Sequence, residues 1–187
     1  MTGYAEGRPD ALLTIEEFEN LHDASGDRLE LVRGRVVREP PAGGQHGLIG
    51  NNAGYFIRKY LEANPIGHCF NSDTGFILSL EPSIVRAPDV SFVRTERLPD
   101  VPTGYIPVPP DIAVEIVSPT DRVNDVQQKV RDYLEAGTAV IWLIEPRTRS
   151  LTICRKGSPP SELSENDDLT DQELLPGFNL QVAELFQ

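Results

Sequence analysis

Residues 109–119, Pro-Pro-Asp-Ile-Ala-Val-Glu-Ile-Val-Ser-Pro, constrain this chain more than any other stretch. Prolines bracket seven residues rich in Val and Ile, the composition of a strand. One face carries Ile112, Val114 and Ile116; the other carries Asp111, Ala113, Glu115 and Val117. Both faces are largely apolar, which predicts a central strand covered on both sides. Glu115 is then anomalous. A carboxylate buried in mid-strand is costly unless it is paired, hydrogen-bonded or bound to a metal.

The rest of the chain reads as elements that could cover such a strand. Residues 1–12 form a loose lead-in, and Thr14 with Glu17 predicts a capping box for a helix over 15–22. Alternation over 28–38 with a turn at Gly34 predicts a β-hairpin, followed by a loop over 41–45. Leu48, Ile49, Ala53, Phe56, Ile57, Tyr60 and Leu61 recur at helical spacing, predicting a helix from His46 to about Glu62. Strands are expected at 67–71, 75–80 and 89–94, with a turn around 81–83 and a proline-rich connection over 95–110. A helix over 122–136 stops at Gly137, and strands follow at 139–144 and 150–155. Residues 156–172 read as polar and acidic, and 175–186 as a short docking segment. The pattern is that of one mixed α/β domain over 1–187.

A second acid enters a strand in the same way. In Arg86-Ala-Pro-Asp-Val-Ser-Phe-Val, Val90 and Phe92 share one face and Asp89 heads the other. If the two strands are neighbours, Asp89 and Glu115 converge. Two carboxylates and a strand carbonyl form a hard-oxygen set suited to Mg²⁺ or Mn²⁺; a metal-free acid–base pair is the alternative. On the following helix Asp125, Lys129 and Asp132 lie at i, i+4 and i+7. Lys129 could return to the strand's end and hold a phosphate oxygen, or simply pair with Asp125 on a solvated face.

Other residues have plainer readings. His46 could reach the site or cap its helix, while His22 and His68 have no supporting context. Arg86 could contact phosphate or pair with an acid. Asp73 suits a turn, and Tyr133 and Trp142 suit the core. Cys69 and Cys154 read as reduced thiols within strands. No apolar run approaches the roughly 18 residues of a membrane span, and no secretory leader is visible, so the expectation is a cytoplasmic protein.

RAPDVSFV, PPDIAVEIVSP, the D-x-x-x-K-x-x-x-Y helix ending at Gly137, and the strand with Trp142 and Glu145-Pro together resemble the "Uma two" family of restriction-endonuclease-like proteins. That family is grouped with the PD-(D/E)XK nuclease superfamily. Glu30-Leu-Val-Arg-Gly, Gln45-His-Gly, Asp73-Thr-Gly-Phe and the closing Leu-Pro-Gly-Phe fit as well. The resemblance implies a restriction-endonuclease-like core, a mixed sheet flanked by helices, acting as a metal-dependent endonuclease on DNA. It implies Asp89 and Glu115 as metal ligands with the Ile116 carbonyl as a third. The lysine of the superfamily motif would fall at Val117, so Lys129 becomes its substitute. Glu30 is a fourth candidate that orients the metal or a water; its plainer reading is an exposed strand acid. The net charge of −12, from 17 basic and 29 acidic residues, is poor for gripping a polyanion. It leaves two further expectations open: a homodimer that assembles a groove, or a non-catalytic binding module that keeps the fold.

Overall fold

The computed structural model describes residues 12–21 and 26–187. The expected lead-in lies outside these residues apart from Leu12, as do His22 and the end of the first expected helix. Helix α1 (Ile15–Glu19) begins at the expected capping box: Thr14 accepts the N–H of Glu17, and Glu17 accepts the N–H of Thr14. Strands β1 (Arg28–Val32) and β2 (Arg35–Glu39) form the predicted hairpin. Its two turn residues, Arg33 and Gly34, both have positive φ, 52° and 75°. This is the turn whose twist matches that of paired strands, and glycine accepts it without a steric penalty.

Helix α2 (Gly44–Ala63) starts two residues before the expected His46. After it come β3 (Gly67–Asn71), β4 (Phe76–Ser79), β5 (Ile84–Arg86), β6 (Val90–Arg94) and β7 (Ile112–Ile116). Helix α3 (Val123–Ala136) ends at Gly137, which takes the left-handed conformation (φ 105°) as the C-cap. Strands β8 (Val140–Glu145), β9 (Ser150–Arg155), β10 (Ser161–Leu163), β11 (Asp168–Asp171) and β12 (Leu175–Gln181) follow, then a 3₁₀ turn over Val182–Phe186.

The architecture is mixed α/β. A six-stranded sheet has the order β10-β9-β8-β7-β6-β3. Only β7 and β8 run parallel within it, joined through α3; the other neighbours are antiparallel. Strand β7 is therefore central, and every one of its residues is buried. Ile112, Val114 and Ile116 pack toward Ile49, Ala53 and Ile57 of α2. Ala113 packs into a second cluster with Val93, Ile141 and Tyr133 of α3. Burying each large aliphatic side chain contributes about 1.5–3 kcal/mol, so both faces hold the strand in place. A four-stranded sheet, β2-β1-β5-β4, contributes Phe76 and Ile84 to the second cluster.

Two expectations change. Residues 84–86 form β5 beyond the expected turn, because Val85 pairs with Leu31 of β1 as well as with Ile77 of β4. The polar stretch 156–172 contains β10 and β11. Leu169 is fully buried while Thr170 is exposed, so a short alternation is enough once β12 supplies a partner strand. The closing segment docks as expected: Asn52 of α2 donates to the carbonyls of Leu185 and Gln187.

Candidate active site

Sheet register brings the two acids together. In the antiparallel β6–β7 pair, Val90 sits opposite Val114; Asp89 and Glu115 lie one step further on. Asp89 Oδ2 accepts the N–H of Ile116 at 2.9 Å. Both carboxylates are nearly buried, at 7% exposure each, on the floor of a cleft with a volume of about 1780 Å³. The cleft is walled by α2, the β1–β2 hairpin and the start of α3.

Each acid has partners. His46 Nε2 lies 3.2 Å from Asp89 Oδ2, and Arg28 Nη1 lies 3.1 Å from Asp89 Oδ1. His46 thus reaches the site rather than capping α2, whose N-cap, Gly43, has no side-chain cap. Tyr133, expected in the core, is fully buried and donates its hydroxyl to Glu115 Oε1 at 2.8 Å. Lys129 does not pair with Asp125. Its ammonium lies 2.6 Å from Glu39 Oε1, 3.4 Å from Glu115 Oε2 and 3.5 Å from Glu30 Oε1.

Glu30 is not an exposed strand acid: it is fully buried. It accepts Nη1 of Arg86 at 2.7 Å and the N–H of Ala87 at 3.0 Å. Arg86 also donates to Asp132 Oδ2, at 2.6 Å from Nη2 and 3.2 Å from Nε. Asp132 is buried as well, so it leaves the polar stripe assigned to it and binds Arg33, Arg86 and Gln128. Asp73 stays in its turn, exchanging hydrogen bonds with Asn71. Val117 carries no charge into the site and donates its N–H to the Ile144 carbonyl.

Arg28 and Glu39 were not singled out in the sequence, yet they complete the cluster through a direct ion pair. Their signal was present in the hairpin. Pairing Val32 with Arg35 across a two-residue turn places Arg28 opposite Glu39.

The electrostatics are uneven. Burial pushes the Glu115 carboxyl up to about 7; Lys129 opposes this, while Asp89, Glu30 and Glu39 reinforce it. Burial acts the same way on Asp89, but the hydrogen bond and charge of His46, with Arg28 and the Ile116 N–H, outweigh it and hold Asp89 low. Burial of Glu39 is likewise outweighed, by Lys129 and Arg28. The bond to Asp89 raises His46 above its usual value, against desolvation. Lys129 stays firmly protonated, since the surrounding acids overcome its burial.

Among the described residues, no three His, Cys, Asp or Glu side chains are already arranged as a metal cage. The donor chemistry nevertheless fits a hard divalent cation. Asp89, Glu39 and Glu115 face two fixed cations, Arg28 and Lys129, so full ionisation leaves a surplus of negative charge. Burial is the first cause of the raised Glu115 and its acidic neighbours add to it; a divalent ion would offset that negative charge and take oxygen ligands.

Comparison with known proteins agrees with the fold. A chain described as a "putative nuclease belonging to DUF820 from Anabaena variabilis ATCC 29413" superposes with a TM-score of 0.80 at 21% identity, covering 93% of this chain and 97% of that one. This likeness supports the fold, a large mixed sheet flanked by helices. Curated proteins give no match. A family model described as "Putative restriction endonuclease" matches residues 15–183. That match spans nearly all of the 187 residues, and the chain belongs to the Uma2 family of restriction-endonuclease-like proteins.

Proposed function

We propose that the chain is a metal-dependent endonuclease that hydrolyses phosphodiester bonds of DNA. The observation that carries this reading is the convergence of Asp89, Glu115 and Lys129 on one cleft floor from two strands and a helix. Asp89, Glu115 and the Ile116 carbonyl would hold Mg²⁺ or Mn²⁺. When bound, the ion supplies Lewis-acid stabilisation of charge developing on the phosphate.

The chain's own residues supply the rest. Lys129 offers a fixed ammonium to a non-bridging phosphate oxygen, a charge worth most where water is excluded. Tyr133 orients Glu115 by donating to Oε1. Glu30 acts on Lys129 from the side: it lies 3.5 Å from the ammonium and is itself held by Arg86 and the Ala87 N–H. His46, hydrogen-bonded to Asp89, can relay a proton between the cleft and solvent. The cleft volume exceeds the roughly 300–1,000 Å³ of ordinary small-molecule sites, which suits a polymer.

A second reading is a non-catalytic binding module. It is favoured by the engagement of both Asp89 oxygens with protein donors, Arg28 at Oδ1, and His46 and the Ile116 N–H at Oδ2. A cleavage assay on plasmid and single-stranded DNA with Mg²⁺ or Mn²⁺, beside Glu115→Ala, separates the two. Cleavage lost in the variant supports the enzyme. No cleavage by the native chain supports the module, and equal cleavage by both points to contamination. Pairing of two copies, which would gather cations from both chains, and a cytoplasmic location belong to the same proposal. Among the described residues, no helix is long and apolar enough to cross a membrane.

A further inference from the structure

The reaction above leaves one arm of the cleft unused. His46, Gly50, Gly54 and Arg58 follow one another at i+4 along α2, and all line the cleft. They make a path from Asp89 toward the C-terminal half of the helix. At its far end Tyr55 also lines the cleft and is 54% exposed. An exposed aromatic ring on a cleft wall offers a flat surface on which another ring can stack. It is held from two sides: Phe56 meets it edge-on at 5.2 Å, and the Lys59 ammonium lies 5.6 Å from its centroid.

Charge distinguishes this arm from the floor. Arg28, Arg86 and Lys129 are all ion-paired. Among the described residues Arg58, Lys59 and Arg122, the N-cap residue of α3, have no acid partner, and all three line the cleft. In a chain of net charge −12, unpaired cations gathered on one cleft create a local field for a polyanion. Asp27, Glu62, Asp73, Asp121 and Asp125 line the cleft too, so a polyanion would have to meet these cations directly rather than a uniformly positive wall. Gly47, Gly50 and Gly54 leave much of the wall between without side chains, with Asn51 lining the cleft beside them. A Cβ at Gly54 would meet only Val90, at 3.9 Å, one at Gly50 only Ile116 Cδ1, at 3.4 Å, and one at Gly47 nothing within 4 Å. Packing therefore does not require glycine there, although glycine weakens a helix interior.

We infer that α2 carries a track for single-stranded nucleic acid, in which an unpaired base stacks on Tyr55 while Arg58, Lys59 and Arg122 hold the flanking phosphates. The inference rests on the nucleic-acid reading of the site and names its substrate class. An exposed ring beside isolated cations fits a strand whose bases are free to stack. A duplex hides its base faces and would need cations along both backbones.

The test is fluorescence anisotropy in EDTA with labelled single-stranded DNA, single-stranded RNA and the matching duplex. It uses the full chain, Tyr55→Phe, Tyr55→Ala and the double variant Arg58→Ala/Lys59→Ala. Single strands should bind at least about tenfold more tightly than duplex. Tyr55→Ala should weaken that binding by roughly 5- to 100-fold, with Tyr55→Phe close to native. The double variant should reduce the slope of log K against log salt by about 1.4. The two single-strand arms decide which sugar is accepted. Equal binding of duplex, or native single-strand binding by Tyr55→Ala, overturns the inference. So does sedimentation in which Tyr55→Ala only converts a dimer to monomer, since the ring would then be a self-interface. Cleavage with Mn²⁺, scored separately, distinguishes the failures. Cleavage indifferent to Tyr55 sinks the track and leaves the nuclease, whereas Tyr55-dependent binding without cleavage sinks the nuclease and leaves the track.

Discussion

Asp89 is fixed beside Glu115 by the backbone of Glu115's own strand, because its Oδ2 accepts the N–H of Ile116 at 2.9 Å. The bond joins the start of β6 to the end of β7 and makes the two carboxylates a unit rather than two independent side chains. Removing Asp89 therefore strips a buried backbone donor beside Glu115 of its acceptor.

Asp89→Ala should abolish divalent-metal binding measured by calorimetry and cost about 1–3 kcal/mol, because the buried Ile116 N–H loses its acceptor. Asp89→Asn retains an acceptor and should recover most of that stability without recovering the metal. Native metal affinity in Asp89→Ala would overturn the ligand assignment.

Lys129 neutralises three acids at once. Lys129→Met should lower cleavage by at least about 100-fold and destabilise the chain by about 3 kcal/mol in denaturant titration, since Glu30, Glu39 and Glu115 lose their shared cation. Stability and cleavage both unchanged would place the ammonium outside the site.

Arg86 is a positioning residue, buried between Glu30 and Asp132. Arg86→Leu alone should cost about 3–5 kcal/mol, since it strands two buried carboxylates. Replacing all three residues with apolar ones of similar volume should recover much of the loss. If the triple variant is no more stable than the single one, the network does more than balance charge.

The metal-free chain should lose stability as pH rises from about 4.5 through about 7. Glu115 has a folded pKa raised to about 7, so its contribution is full below the unfolded value and is lost as pH climbs through the folded one. His46, also raised, acts in the same direction above its ordinary value near 6.5. Thermal melts of wild type and Glu115→Gln across this window isolate the Glu115 share, and parallel curves would refute it. Excess Mg²⁺ should flatten the wild-type slope, because binding favours the ionised form.

Cys69 offers a simple check on packing. Burial pushes its thiol up to about 11, so iodoacetamide at pH 8 should modify it far more slowly than an unfolded control. Rapid labelling would mean that β3 opens.

Much of this arrangement was legible along the chain because it is local. The proline-bracketed run of Val and Ile fixed β7 as a central strand. Period-two alternation fixed which face Glu115 shares with Ala113 and, on β6, which face Asp89 shares with Ser91. Thr14 and Gly137 marked helix ends through capping chemistry that acts within a few residues. Lys129 could be proposed because a short turn after β7 folds the next helix back toward the strand's end.

The partners of those acids were decided only in three dimensions. Arg28 meets Asp89 across 61 residues, Arg86 meets Glu30 across 56 and Asp132 across 46. No periodicity encodes such distances; they follow from which strands become neighbours and from the β1–β5 pairing that joins the hairpin to the site. Burial itself was also a tertiary outcome. Glu30 and Asp132 look like surface acids in sequence, and they become interior groups because Arg86 is packed between them, where low local polarity makes each charge depend on the next. The chain by itself determined where two carboxylates would enter its core. The fold decided what would stand opposite them.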